Sequence, residues 1–179
     1  MKRLLAISSL IDNLNERIGR LVMWGVLAAT LVASGNALAK HFLGQGSNAW
    51  LEAQWYLFGA LFLLGAGYTL KHNGHVRIDA LHQRLSDRTR AWIDLFGSLL
   101  FLLPFAGLLA WLSWALFAES WRIQEMSPDD GGLVRWPVKL LLPLGFGLLF
   151  LQGVSETIKR VGVLRGVHPP VEEKPAEEV

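Results

Sequence analysis

Histidine is the residue type of this chain best suited to hold a metal or a haem, because the neutral imidazole binds metals and transfers protons near neutral pH. His72, His75 and His82 lie in one short basic segment, and His41 lies earlier in the chain. Two histidines on facing helices could hold a haem, so one interpretation is a four-helix membrane anchor of a haem or quinone redox complex. The clustering of three histidines in one loop disfavours ligands deep between helices. Cysteine, another common metal ligand, is absent.

Charged residues are missing from the parts of the chain where a transport path would need them. Such a path places ionisable groups or broken helices near the bilayer midplane. The apolar stretches 26–31, 57–64, 99–109 and 144–149 contain no Asp, Glu, Lys, Arg or His. The sequence therefore predicts a chain that is not an enzyme, holds no cofactor or metal, and does not by itself form a path for a solute.

Polar groups occur instead at the ends of the second apolar segment. Glu52 stands near its start, where it could pair with a cation of another subunit or act as an ordinary acid at a helix N-terminus. His75, Arg77 and Asp79 follow its far end. These three residues form either a solvated basic loop or a fixed turn that holds helix ends or a partner chain.

A second polar group follows the third apolar segment. Glu119, Arg122 and Glu125 recur every three residues, so they can share one face of a helix. Together with Asp129 and Asp130 they give this end of the molecule an acidic patch. The patch is either a docking site for a soluble protein or a solvated helix face.

The elements that carry these groups are apolar helices. The chain has 179 residues, of which 52% are hydrophobic, and a helix needs roughly 20 mostly apolar residues to cross a bilayer. Four segments meet that requirement, at about residues 21–39, 50–70, 91–118 and 136–154. The predicted fold is therefore an all-α integral membrane domain of four transmembrane helices, residues 21–158. Trp136-Pro137 is expected to open the fourth helix, since proline suits a first helical turn.

Two shorter regions flank that domain. Residues 1–20 are predicted to form an amphipathic lead-in helix, with apolar side chains at a helical period. This helix either lies in the headgroup plane, which is the prediction adopted, or extends the first span into water. Residues 159–179 are predicted to be a partly disordered tail, because they carry prolines and four glutamates.

Basic residues mark one side of the membrane. Of the 17 Lys and Arg, 13 lie before the first span, between the second and third, or after the fourth. The positive-inside rule places these segments, and both termini, in the cytoplasm. Each basic cluster flanks a span, so nucleic-acid binding is not indicated and membrane lipid is the expected neighbour.

Small residues on the second and fourth spans favour close contact between helices. Gly59, Gly65 and Gly67 lie on the second span, and Pro143 and Gly145 on the fourth. These residues are candidates for contact with a partner chain, as are Tyr56, Trp136, Glu52, His75, Arg77 and Asp79.

The order of these features resembles the DctQ family, the small membrane subunit of tripartite ATP-independent periplasmic (TRAP) transporters. The resemblance rests on Glu52 and Tyr56-Leu57 opening the second helix, a Gly/Ala-rich core at 59–67, and a turn with His75, Arg77 and Asp79. Trp136-Pro137 and Pro143-Leu144-Gly145 match the last helix of the family. The family often has two adjacent acids and an arginine before the tyrosine, where this chain has Glu52-Ala53 and Trp55.

The resemblance implies a function for the chain in the inner membrane of a bacterium. Small subunits of this family bind and steady a large multi-helix subunit, which holds the sodium and substrate sites. A periplasmic binding protein delivers an organic acid to the outer face, and sodium flux drives its uptake. The chain would then be a scaffold that needs both partners and carries no cofactor of its own.

Overall fold

The computed structural model describes residues 1–44, 46–74 and 85–167, which fold into α-helices joined by short loops. The helices are α1 (Lys2–Leu43), α2 (Asn48–Lys71), α3 (Asp87–Gly97), α4 (Leu103–Arg122) and α5 (Trp136–Leu164), with a π-helical turn at Ser98–Leu102 between α3 and α4. Within these residues the only strand-like pairing is an isolated bridge between Met126 and Val134. The predicted all-α class is confirmed.

Helix α1 is a single helix of 42 residues, so its length is about 63 Å at 1.5 Å per residue. It ends at Gly44, whose φ of 66° lies in the left-handed region that glycine adopts without steric cost. The lead-in and the first apolar segment therefore belong to one helix, which differs from the expected separate helix in the headgroup plane. The physical reason is that α1 contains no proline, and that Gly19 at the junction is buried against Tyr68 of α2.

Helices α3 and α4 form one long rod with a local change of winding. Ser86 caps α3, and its hydroxyl oxygen accepts a hydrogen bond from the Thr89 backbone N–H at 3.3 Å. In the π turn, the N–H of Leu103 bonds the carbonyl of Ser98, five residues back. The turn directly precedes Pro104, which has no N–H and clashes with the carbonyl four residues before it. The wider π turn allows the helix to continue past this proline.

Helix α5 begins at Trp136 with proline in its first turn, as the sequence predicts. It continues through Pro143 and ends at Leu164, so residues 159–164 are helical and do not belong to a disordered tail. The remainder of that predicted tail, from residue 168 onward, lies outside the described residues.

Helix α5 is the centre of the bundle, since each of the other helices packs against it. Helix α1 also packs along α2, and these two run antiparallel: Gly19 lies against Tyr68, and Gly35 lies near Trp50. Helix α2 runs parallel to α5, whereas α4 runs antiparallel to it. The contacts that give these directions are Gly59 with Leu141, Gly67 with Leu148, Gly107 with Phe150, and Gly153 with Leu102.

Three helices of the described chain are long and apolar enough to cross a membrane: Lys2–Leu43, Arg88–Arg122 and Trp136–Leu164. Large apolar side chains such as Trp24, Phe62 and Phe101 point outward along them and along α2. A soluble protein would bury these side chains. Helix α2 has 24 residues but is not among the three, and Glu52 and Gln54 lower the apolar content of its first turns.

Candidate functional site

Glu52 anchors the loop that joins α4 to α5. Its carboxylate accepts a hydrogen bond from the Ser127 hydroxyl and another from the Leu133 backbone N–H at 2.6 Å. The Arg135 guanidinium lies 3.5 Å from it. These partners belong to the same chain, so the structure gives Glu52 an intramolecular role, and its pairing with another subunit stays a prediction.

We name residues 123–135 the outer loop. Further hydrogen bonds hold this loop in place. The Tyr56 hydroxyl donates to the Val134 carbonyl at 3.0 Å, and the Asn48 side chain donates to the Asp130 carbonyl at 2.9 Å. Within the loop, the Arg135 N–H bonds the Glu125 carbonyl at 2.8 Å. Tyr56 and Glu52 therefore lie together, one turn apart on α2, and both hold the outer loop.

The predicted acidic patch is divided between paired and exposed groups. Glu119 and Arg122 form an exposed ion pair of 2.7 Å, while Glu125 pairs with Lys139 of α5. The hydrogen bond from Lys139 holds the pKa of Glu125 below its ordinary value. The side chains of Asp129 and Asp130 are exposed on the outer loop. Only this exposed part of the patch is available to a soluble protein.

Aromatic rings meet beside the outer loop. Trp136 packs edge-on against Trp121, with ring centroids 4.5 Å apart. The ring pair joins the end of α4 to the start of α5, and tryptophan at such a position is typical of a membrane–water interface. Trp136, a candidate for partner contact, therefore makes a contact within the chain.

The predicted small-residue contacts join helices of this chain. Gly145 lies so close to Leu63 that an added Cβ would be 2.7 Å from its backbone oxygen. Gly67 is buried between Asn15 and the Leu148 carbonyl, and Pro143 is buried in α5. Gly59 and Gly65 face Leu141 and Val22 more loosely. In this arrangement the close-packed small residues serve the bundle itself.

A buried polar cluster joins the two ends of the chain, and sequence reasoning missed it. We name Ser8, Asp12, Asn15, Gln152, Ser155, Glu156 and Lys159 the inner polar cluster. Gln152 is fully buried and donates to Asp12 at 2.8 Å and to Glu156 at 3.0 Å. Ser155 donates to Asp12 at 2.7 Å, and Lys159 lies 3.2 Å from the same carboxylate.

The signal for this cluster was present in the spacing of polar residues. Ser8, Asp12 and Asn15 are four and three residues apart, which places them on one face of α1. Gln152, Ser155 and Lys159 are three and four residues apart, which likewise places them on one face of α5. Each row alone is typical of a solvated face, and only their juxtaposition in space shows that the two rows satisfy each other.

Two ion-pair groups lie at the same end of the bundle. Glu16 of α1 contacts Lys71 at 2.8 Å and His72 at 2.8 Å, where α2 ends. Asp94 of α3 pairs with Arg160 of α5 at 3.0 Å, and both side chains are largely buried. Asp94 also stands one turn from Arg90 on α3, and its contact with Arg160 reaches a different helix.

A cavity of about 280 Å³ opens beside the Asp94–Arg160 pair. Its polar wall includes Glu156 and Asn73, and its apolar wall includes Leu102, so it lies where α2, the π turn and α5 approach one another. No helix of the described residues occupies the cavity. The cavity contains no cluster of histidines or carboxylates suited to a metal among the described residues.

The remaining candidates can be placed only in part. His75, Arg77, Asp79 and His82 lie outside the described residues. His72 contacts Glu16, and His41 is 25 residues farther along α1, a separation of about 38 Å along the helix axis. These two histidines therefore do not face each other across the bundle.

Comparison with known proteins agrees with this architecture. Residues 29–162 match the model of the family described as tripartite ATP-independent periplasmic transporters, DctQ component. The chain is 30% identical over 146 residues to a protein of Pseudomonas aeruginosa named C4-dicarboxylate TRAP transporter small permease protein DctQ. That alignment covers 78% of this chain and 65% of the relative, so somewhat less than two thirds of the relative is matched. No solved structure matches.

The family match begins within α1, at residue 29, and covers α2, α3, α4, the outer loop and most of α5. The α1 residues of the inner polar cluster, and Glu16, precede the matched region. Because three of these helices are long and apolar enough to cross a membrane, the chain is a multi-pass inner-membrane protein. It belongs to the DctQ family of components of tripartite ATP-independent periplasmic transporters.

Proposed function

We propose that this chain is a non-catalytic small permease subunit that scaffolds the large subunit of a sodium-coupled, binding-protein-dependent importer of organic acids. The observation that carries the proposal is the distribution of ionisable groups. In the described helices they gather at the two ends of the bundle, while the stretches 26–31, 57–64, 99–109 and 144–149 are uncharged. A carboxylate or a sodium ion crossing between these helices would meet no compensating charge or polar ligand.

We further propose that α2 is a fourth membrane span. Helices α1 and α4 both run antiparallel to α5, so the end of α1 and the start of α3 lie at opposite ends of the bundle. The chain must cross the membrane between them, and α2 is the helix that connects the two ends. Its 24 residues correspond to about 36 Å, which exceeds a hydrocarbon core of about 30 Å.

The distribution of cations supports cytoplasmic termini. The inner polar cluster and the Glu16 and Asp94 ion pairs bring Lys71, Lys159 and Arg160 to the same end of the bundle as the N-terminus. Arg17 and Arg20 are exposed at this end as well. Under the positive-inside rule this end faces the cytoplasm, and the outer loop faces the periplasm.

The large subunit is proposed to bind the outward faces of the helices. The small residues that permit close approach are already in contact within the chain, as Gly67 and Gly145 illustrate. Helix α4 packs on α5 but leaves Phe105, Leu108 and Leu112 exposed along one side. Such a surface in a membrane protein meets either lipid or another subunit, and a scaffold needs a wide contact of this kind.

The binding protein is proposed to dock at the exposed acids of the outer loop. Asp129 and Asp130 protrude at its tip, and the contacts of Glu52 hold the loop in one position. If this docking occurs, Asp129→Asn combined with Asp130→Asn will lower uptake most at limiting binding protein. Lys40→Gln is the control, because it removes an exposed charge from the same end of the bundle that does not belong to the acidic patch.

Reconstitution into liposomes tests the proposed function. The chain is purified alone and with a co-expressed large TRAP subunit, and uptake of labelled succinate is measured with binding protein and an inward sodium gradient. We expect uptake only when both membrane subunits are present, and a stable complex of the two. Uptake by this chain alone, or undiminished uptake by the large subunit without it, would contradict the proposal. A haem absorbance band in the purified chain would favour a redox anchor instead.

A further inference from the structure

The first turns of α1 bury polar side chains against α5 and leave aliphatic side chains exposed among polar and charged ones. Ser8 and Asn15 are buried against α5. The exposed residues include the aliphatic side chains of Leu4, Ile7, Leu10 and Leu14, and Leu10, which lies roughly opposite this buried face, is 69% exposed. A helix that projects into water has the reverse arrangement, because exposed aliphatic side chains are unfavourable there.

The charged residues of this segment are distributed in a similar way. Both of its acids, Asp12 and Glu16, form ion pairs with other helices. Lys2, Arg3 and Arg17 are exposed and form no ion pair with any other described residue. Arg3, Leu10 and Arg17 are spaced by seven residues, which is two helical turns, so they lie in one line on the outer face.

We infer that residues 2–20 bind the inner leaflet of the membrane, with their apolar side chains in the acyl region and Arg3 and Arg17 on anionic phospholipid headgroups. The combination of exposed cations, exposed aliphatic side chains and fully paired acids is complementary to such a surface. The length of α1, about 63 Å, also requires the helix to tilt or to project from the bilayer. A tilt that lowers this face into the leaflet satisfies both observations. The inference stands apart from the scaffold function.

Single-cysteine labelling tests the position of this face, since the chain contains no cysteine of its own. The full chain carrying Leu10→Cys is labelled with a fluorophore and placed in nanodiscs with spin-labelled lipids or with aqueous iodide. Val167→Cys is the matched control, because Val167 is an exposed apolar residue at the same end and 56% exposed. We expect lipid quenching at position 10 and several-fold weaker iodide quenching there than at position 167.

The lipid class is tested by comparing nanodiscs of phosphatidylcholine alone with nanodiscs that contain equal parts of phosphatidylglycerol. Protection of the label at position 10 should increase with the anionic lipid, and Arg3→Gln with Arg17→Gln should abolish that increase. Arg165→Gln, which removes an exposed cation elsewhere at this end, should leave it unchanged.

Three results would overturn the inference. Equal iodide access at positions 10 and 167 would mean that the segment projects into water. Protection that appears only after the large subunit is added would identify a protein partner. Protection that is the same with and without phosphatidylglycerol would exclude anionic headgroups.

Discussion

Asn15 and Gln152 are fully buried, and the amide of Asn15 donates a hydrogen bond of 2.9 Å to the side-chain oxygen of Gln152. The two residues are 137 positions apart in the sequence, so this bond joins the first helix to the last. It fixes the register of α1 on α5 at the end where the inner polar cluster lies. A sliding of either helix by one turn would break this bond and the bond from Gln152 to Asp12, leaving each amide only its contact within its own helix.

Removing one amide of this pair should destabilise the bundle. We expect Asn15→Ala to lower the free energy of unfolding by about 1–3 kcal/mol, because Gln152 then keeps a buried oxygen without its donor. Asn13→Ala is the control, since Asn13 is exposed two residues away, and its effect should stay within about 0.5 kcal/mol. Thermal unfolding in detergent measures both. Equal effects of the two substitutions would show that the buried bond does not contribute.

Adding a methyl group at Gly145 should separate α2 from α5. The new Cβ would lie 2.7 Å from both the Cβ and the backbone oxygen of Leu63, and a backbone cannot move aside as a flexible side chain can. Overpacking of this kind costs about 1–3 kcal/mol. Gly147→Ala on the same helix is the control, because no atom lies within 4 Å of its added Cβ. A lowered melting temperature is expected for Gly145→Ala only, and an unchanged one would mean that this contact is looser.

Truncating Glu52 should release the outer loop without unfolding the helices. Glu52→Ala removes the acceptor for the Leu133 N–H and for the Ser127 hydroxyl. We expect faster amide hydrogen exchange at residues 127–135 and unchanged exchange in α5. Glu119→Ala, which removes an exposed acid paired only with Arg122, should leave exchange in the loop as it is. Slow exchange in both variants would show that the backbone bonds of the loop suffice.

Acid should weaken the Glu125–Lys139 contact between the outer loop and α5. The pKa of Glu125 is held below its ordinary value of 4.5, mainly by the hydrogen bond from Lys139. A lowered pKa means that the carboxylate stabilises the folded chain above the unfolded pKa, and that this stabilisation disappears as the pH falls through the folded pKa. Wild type should therefore exceed Glu125→Gln in melting temperature at neutral pH. The difference should shrink below about pH 4, and a constant difference would contradict the assignment.

Several features follow from residue patterns alone. Apolar length and helix-starting residues predict where α2 and α5 begin, and Trp136-Pro137 marks the latter start at the residue where the structure has it. Pro104 predicts a disturbance in the third apolar segment, which the structure has as a π turn. These are local effects, because they depend on residues within one or two turns.

Other features depend on which helices meet. The lead-in helix, residues 1–20, could have lain on the membrane or continued the first span. The helical period of its apolar side chains is the same in both cases. Its position is decided by Gln152 and Ser155 of α5, which satisfy Asp12 and Asn15. Asp94 likewise has Arg90 one turn away, yet it reaches Arg160 on another helix.

The sequence by itself determined that the chain is helical, that it lies in a membrane, and that its charges lie outside the middle stretches of its apolar segments. These properties follow from hydrophobic length and backbone hydrogen bonding, which do not depend on neighbouring helices. Tertiary structure alone decided that Glu52 holds the outer loop and that Gly145 serves contact within the chain. It also decided that aliphatic side chains of the first helix are exposed. A buried polar side chain must contact its hydrogen-bond partner, and that partner lies far away in the sequence.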